Sequence, residues 1–233
     1  MCTVSFSPNS RGFHLLMNRD EKRNRATAWP PTIFDLGDHR AIYPRESSGG
    51  TWISVNDGGV CLALVNWHRI EREPVNSIVS RGRIIAELAG KVDSVDIANG
   101  LGSVPLKEVR PFRLIAIVSN EKAVTEWRWN LDSLAKRKHP WCRQHWFSSG
   151  FDEVKAESVR RSICERRSTT DIDQLRALHR SHAPRRGPFS ICMHRDDATT
   201  VCYTEVSVEN RKIIMRYKPG PPCSDSRMVT KSL

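Results

Sequence analysis

The residue with the most chemistry to offer stands second in the chain. Cys2 follows Met1, and methionine aminopeptidases remove an initiator methionine efficiently when the next residue is small. Removal leaves one residue carrying both a thiol and a free α-amine. That amine, with a reference pKa of roughly 7.7–8.0, can act as the base for its own thiol. A polar run, Asn18-Arg19-Asp20-Glu21, lies a short distance along. Arg19 beside Cys2 would favour the thiolate and can hold a carboxylate-bearing ligand. Asp20 can orient the amine or the guanidinium. Taken alone, charged residues after a strand are more commonly a solvated ion pair closing a hairpin, and that is the plain reading of Arg19 and Asp20. Ser80 and Arg81 open a helix, where free N–H groups can bind an anion; a simple helix cap explains them equally well.

These residues need elements to position them. Residues 2–7 and 13–18 read as strands around Pro8-Asn9-Ser10-Arg11-Gly12, a cluster of turn formers. With the turn centred near Asn9 or Ser10, antiparallel pairing sets Cys2 opposite Met17 or Asn18. A second hairpin joins 51–55 to 60–66 through Asn56-Asp57-Gly58-Gly59, and its second arm is almost continuously apolar, as a strand buried on both faces is. Helical spacing is expected over 77–88, including Ile78, and over 92–101. Strands follow at 112–118 and 123–129, then helices at 152–166 and 170–179, the latter capped by Thr170 or Asp171. A hairpin over 189–194 and 199–206 and a strand at 212–217 complete the regular structure. Hairpins in pairs with helices grouped between them point to antiparallel sheets covered by helices. One domain over 1–223 is expected, with 224–233 a frayed polar tail.

Composition narrows the function classes. An apolar fraction of 39% and a charged fraction of 27% are those of a globular protein of 233 residues. No apolar run is long enough to span a bilayer, and no signal peptide is apparent, so a cytoplasmic location is expected. Seven cysteines without a Cys-x-x-Cys pair argue against a disulfide framework and a structural zinc site. Cys61, Cys192 and Cys202 read as small buried hydrophobes. His14, His68 and His194 lack metal-ligand spacing and read as structural; Trp52, Trp67, Trp127 and Trp129 read as core residues. The net charge of +11 is dispersed, with small clusters such as Lys136-Arg137-Lys138 and no nucleic-acid motif, so it suits an anionic small molecule better than DNA or RNA.

Met1-Cys2, Asn18-Arg19-Asp20-Glu21, Gly49-Gly50-Thr51-Trp52, Ala63-Leu64-Val65-Asn66, Ser80-Arg81-Gly82, Ser148-Ser149-Gly150 and the ending 217–223 together resemble the NRDE family, the group that includes the transport and Golgi organisation protein 2 homologues. The resemblance covers nearly the whole chain. It implies an α+β fold, an αββα four-layer sandwich of antiparallel sheets similar to N-terminal-nucleophile (Ntn) hydrolases, above all penicillin V acylases and choloylglycine hydrolases. Those enzymes cleave non-peptide C–N amide bonds with an N-terminal cysteine. Cys2 matches their nucleophile, Arg19 and Asp20 the residues that organise it, and Asn66 a residue whose backbone N–H helps form the oxyanion hole. In the hydrolases the arginine and aspartate stand three residues apart; here they are adjacent. Asn18, Ser80 and Arg81 are the ligand-binding candidates, and no metal or cofactor is expected. The resemblance also implies an alternative, a non-catalytic protein that binds or moves an anionic ligand such as an acyl-CoA, a lipid or haem, through Arg19 and Arg81.

Overall fold

The computed structural model describes residues 2–75, 79–167, 171–210 and 212–233. Its first hairpin shows how close packing sets a register. Strands β1 (Cys2–Asn9) and β2 (Gly12–Lys22) turn through Ser10 and Arg11, with Asn9 paired to Gly12. A Cβ on Gly12 would lie 1.9 Å from the Val208 carbonyl oxygen on the neighbouring strand, so only glycine fits there. The turn therefore centres between residues 10 and 11, later than expected. Cys2 pairs with Arg19, not with Met17 or Asn18.

That hairpin lies inside a six-stranded sheet in the order β10-β1-β2-β11-β12-β13. Its other strands are β10 (Gln144–Ser148), β11 (Ala198–Glu209), β12 (Lys212–Pro219) and β13 (Val229–Ser232). A seven-stranded sheet runs in sequence order through β3 (Trp29–Asp35), β4 (Arg40–Arg45), β5 (Ile53–Asn56), β6 (Val60–Asn66), β7 (Phe112–Val118), β8 (Ala123–Trp129) and β9 (Leu134–His139). Every pairing is antiparallel.

Alternation then sorts the side chains into layers. Val4, Phe6, Phe13, Leu15 and Met17 of the first sheet meet Ile53, Val55, Ala63, Val65, Ile115 and Ile117 of the second, forming the central core. The outer face of the second sheet, with Leu62, Leu64, Leu114 and Ala116, is covered by α1 (Arg81–Leu88) and α2 (Ser94–Gly102) through Ile84, Ile85, Leu88, Ile97 and Leu101. On the other side, α3 (Glu153–Arg166) and α4 (Ile172–Arg180) pack Ile163, Cys164, Leu175 and Leu178 on Leu16, Phe147 and Tyr203. Asp93, Asp152 and Asp171 cap α2, α3 and α4 by accepting from backbone N–H groups of the first turn. The architecture is the expected α+β sandwich, helices outside and two antiparallel sheets inside.

Some elements differ from expectation. Helix α1 is seen from Arg81; Ser77, Ile78 and the alternative cap Thr170 lie outside the described residues. Residues 189–194 form no strand, because only His194 bridges to Thr199. The tail expected to fray carries β13, an edge strand on β12. Strands β3, β4, β9 and β10 had no clear signature. Lys136, Arg137 and Lys138, a charge cluster in sequence, are the exposed edge strand β9, where charge discourages pairing with another chain. Among the described residues no helix is long and apolar enough to cross a membrane.

Candidate functional site

Antiparallel partners project to the same face of a sheet. Cys2 lies between Arg19 on β2 and Ser148 on β10, at the end of the central core where the two sheets part. A cavity of about 620 Å³ opens there, and its walls include Cys2, Arg19, Glu21, Trp52, Asn66 and Arg81. Ser148 Oγ donates to the Asn66 carbonyl at 2.6 Å, joining the end of β6 to the strand beside Cys2. The start of α1 is brought to the rim by glycines. A Cβ on Gly50 would meet the Gly82 backbone at 3.0 Å, and the Thr51 N–H donates to the Gly82 carbonyl at 2.9 Å. The motifs Gly49-Gly50-Thr51-Trp52 and Ser80-Arg81-Gly82, far apart in sequence, are thus one close backbone contact.

The electrostatics of the cavity are dominated by arginine. The Arg19 guanidinium sits 4.2 Å from the centre of the Trp52 ring, is hydrogen-bonded to Glu46, and lies 3.4 Å from Glu21. Glu46 also accepts two bonds of 2.9 Å from Arg25. Arg81 donates to the Pro111 carbonyl at 3.1 Å, and burial pulls its pKa down to about 10, leaving it cationic at neutral pH. Five cationic side chains line the cavity against two carboxylates, so it favours an anion. The Trp52 Nε1–H is buried with no partner among the described residues. Burial pushes the Cys2 thiol above its ordinary pKa, while Arg19 acts in the opposite direction. A thiol in this position needs a base to become a nucleophile.

The polar run on β2 divides between two faces. Arg19 and Glu21 line the cavity, whereas Asn18 and Asp20 face the layer of α3 and α4 and are fully buried. Asn18 Nδ2 donates to the carbonyls of His179 and Ile191, each at 2.9 Å. Its Oδ1 lies 3.0 Å from His179 Nδ1. Asp20 accepts from Thr200 Oγ1 at 2.6 Å and from Arg160 at 3.3 Å. Five of the seven candidate residues, Cys2, Arg19, Asn66, Ser80 and Arg81, therefore share one cavity. Asn18 and Asp20 are among the helices behind it, because adjacent strand residues cannot point the same way. Arg216 on β12 pairs with Glu205 at 2.9 Å, and Glu205 also pairs with Arg176 of α4, so this ion cluster belongs to the layer behind the sheet.

Sequence reasoning missed Glu21 and Glu46; Trp52, read as a core residue, is buried in the central core and also lines the cavity. Glu21 was within reach of the two-residue strand period, which carries it to the face of Arg19. Glu46 gave no signal, since a turn after β4 brings it there.

The profile of the family described as Transport and Golgi organisation 2 matches residues 1–200. No curated protein matches the chain in sequence. Among solved structures, penicillin V acylase from Agrobacterium tumefaciens is similar with a TM-score of 0.56 and 8% identity, covering 100% of this chain and 91% of the acylase. A mutant of conjugated bile acid hydrolase from Clostridium perfringens is similar with a TM-score of 0.57 and 9% identity, covering 100% of this chain and 92% of that one. At such identities the likeness is one of fold, that of the Ntn hydrolases.

Proposed function

The chain belongs to the Transport and Golgi organisation 2 family, and from that premise we propose that it is an N-terminal cysteine amidohydrolase acting on a small, acid-bearing amide. The observation that carries the reading is Cys2 paired directly with Arg19 at the wall of a cavity that also reaches Asn66. Removal of Met1 frees the Cys2 amine. The amine takes the thiol proton, and the thiolate attacks the amide carbonyl. The Asn66 backbone N–H stabilises the oxyanion, a kind of contact whose loss typically costs about 100–1,000-fold in rate. The intermediate collapses as the ammonium returns its proton to the departing amine, leaving a thioester on Cys2. Water, deprotonated by the same amine, attacks that thioester and releases the acid. Arg19 lowers the cost of the thiolate, and Arg81 with the start of α1 receives a substrate carboxylate. Asn18 and Asp20 hold β2 from behind without touching substrate.

The fold of the acylase and bile acid hydrolase supports this reading. So does the buried thiol, which is inert until a base sits beside it. Intact-mass measurement should find the chain short by one methionine, and a thiol-reactive acyl probe should label Cys2 ahead of the exposed Cys142 and Cys223. Retained Met1, or labelling spread over the exposed thiols, would sink it. A second reading, an anion-binding protein without turnover, draws on the cationic excess and the unpartnered Trp52 donor. Equal binding of an acyl-CoA or haem to wild type and Cys2→Ala, with no hydrolysis of an amide panel by wild type, would favour it.

A further inference from the structure

Away from the cavity, three stretches of chain converge on one point. His182 follows the end of α4, Cys192 and His194 lie in the irregular loop before β11, and Cys223 lies in the turn after β12. Their ligand atoms all fall within 4.8 Å of one another. His182 Nε2 and His194 Nε2 are 3.2 Å apart, Cys192 Sγ and Cys223 Sγ are 3.5 Å apart, and each sulfur is 3.5 Å from His194 Nε2. With zinc bonds of about 2.3 Å to sulfur and about 2.0–2.1 Å to nitrogen, a tetrahedron has edges of about 3.4 Å (N–N), about 3.5 Å (N–S) and about 3.8 Å (S–S). The four measured separations fall within a few tenths of an ångström of these. We propose that His182, Cys192, His194 and Cys223 form a closed tetrahedral site for one Zn²⁺.

The surroundings suit a structural ion. Two thiolates and two neutral imidazoles are a donor set that selects zinc, and they cancel its charge; binding releases the two thiol protons to solvent. The backbone is already pinned around the ligands. Cys192 N–H donates to the Ser181 carbonyl at 3.0 Å, Met193 N–H to Thr200 Oγ1 at 2.9 Å, and Lys218 to the carbonyls on both sides of Cys223. His194, ligating through Nε2, would carry its proton on Nδ1, 3.4 Å from Thr199 Oγ1. Arg186, 3.3 Å from the same Nδ1 and exposed, then has to turn outward. The loop between α4 and β11 spans residues 181–197 without a helix or strand, a length at which an irregular segment needs something other than ladder hydrogen bonds to hold it. Linear spacing hid the site, because its four ligands come from positions 182, 192, 194 and 223, which is no finger-like pattern.

The test is metal analysis of the full chain purified under reducing conditions without added zinc. About one equivalent per chain is expected, retained in Cys2→Ala and Cys142→Ser and lost in Cys223→Ser and His182→Ala, with folding followed by circular dichroism. Cobalt added to the stripped protein should give the intense visible bands of a tetrahedral ion with thiolate charge transfer, absent in Cys223→Ser. Less than a tenth of an equivalent with no uptake on titration, cobalt bands of an octahedral ion, or a Cys192–Cys223 disulfide in the native protein would each overturn the proposal.

Discussion

The two faces of β2 carry the same kinds of side chain and put them to opposite uses. On the front, Arg19 and Glu21 border a cavity, and Arg19 divides its hydrogen bonds between carboxylates while lying over an indole. On the back, Asn18 and Asp20 are sealed from water, and their partners come from α4, α3, the 188–194 loop and β11. Buried polar groups satisfied from several elements act as fasteners, whereas those facing a cavity with bonding capacity to spare can act on a ligand. A tetrapeptide that looks like a single motif is therefore two devices back to back.

Breaking that comparison begins at the front. Cys2→Ala should lower turnover by about 10⁴-fold or more, as loss of a nucleophile does, and move the urea midpoint little, since alanine fills the same apolar wall. Next is the contrast between neighbours. Asp20→Ala leaves Arg160 buried without its carboxylate and should cost about 3–5 kcal/mol in urea unfolding. Arg19→Ala leaves Glu46 paired with Arg25 and should cost about 1–2 kcal/mol while removing probe labelling of Cys2. Equal stability losses in the two variants would erase the distinction.

Acid should act on the back as well. His179 is buried between Asn18 and Ser5, and burial, reinforced by His145, lowers its pKa to about 3. The folded state thus holds it neutral where the unfolded chain binds a proton. Its contribution is complete above the unfolded value of about 6.5 and is lost as pH falls towards about 3, at roughly 1.4 kcal/mol per pH unit. His145, lowered to about 4 by burial, adds a parallel slope over its own range. Urea midpoints at pH 7 and pH 5 should converge in His179→Gln relative to wild type, and an unchanged gap would refute the assignment. The smallest effect belongs to Glu21→Gln. It removes a negative charge beside Arg19 and should tighten an anionic ligand by about threefold, read as a lower KM or Kd; weaker binding would mean that Glu21 contacts the ligand itself.

Much of this arrangement is legible in the order of the residues. Alternation separates Asn18 and Asp20 from Arg19 and Glu21 whatever the register, and turn formers at Pro8 to Gly12 bring β2 back towards Cys2. Asp171, one of two cap candidates in the sequence, marks the start of α4 because a short carboxylate satisfies free N–H groups locally. The register is not legible, since it depends on the Val208 carbonyl from a strand far along the chain. Edge strands β9 and β13 escape notice because their exposed residues carry no apolar alternation.

By itself the sequence determined what is local: strand period, turn and cap chemistry, the grouping of hairpins and helices, and the presence of a thiol near the beginning of the chain. Only the tertiary structure decided which distant groups meet. Glu46 reaches Arg19 from a turn, Gly50 lies against Gly82, and Cys223 joins Cys192 and two histidines. Such meetings are fixed by how sheets and helices stack, and the free energy of stacking comes from apolar faces common to all of these elements, so nothing in the polar residues themselves announces their partners.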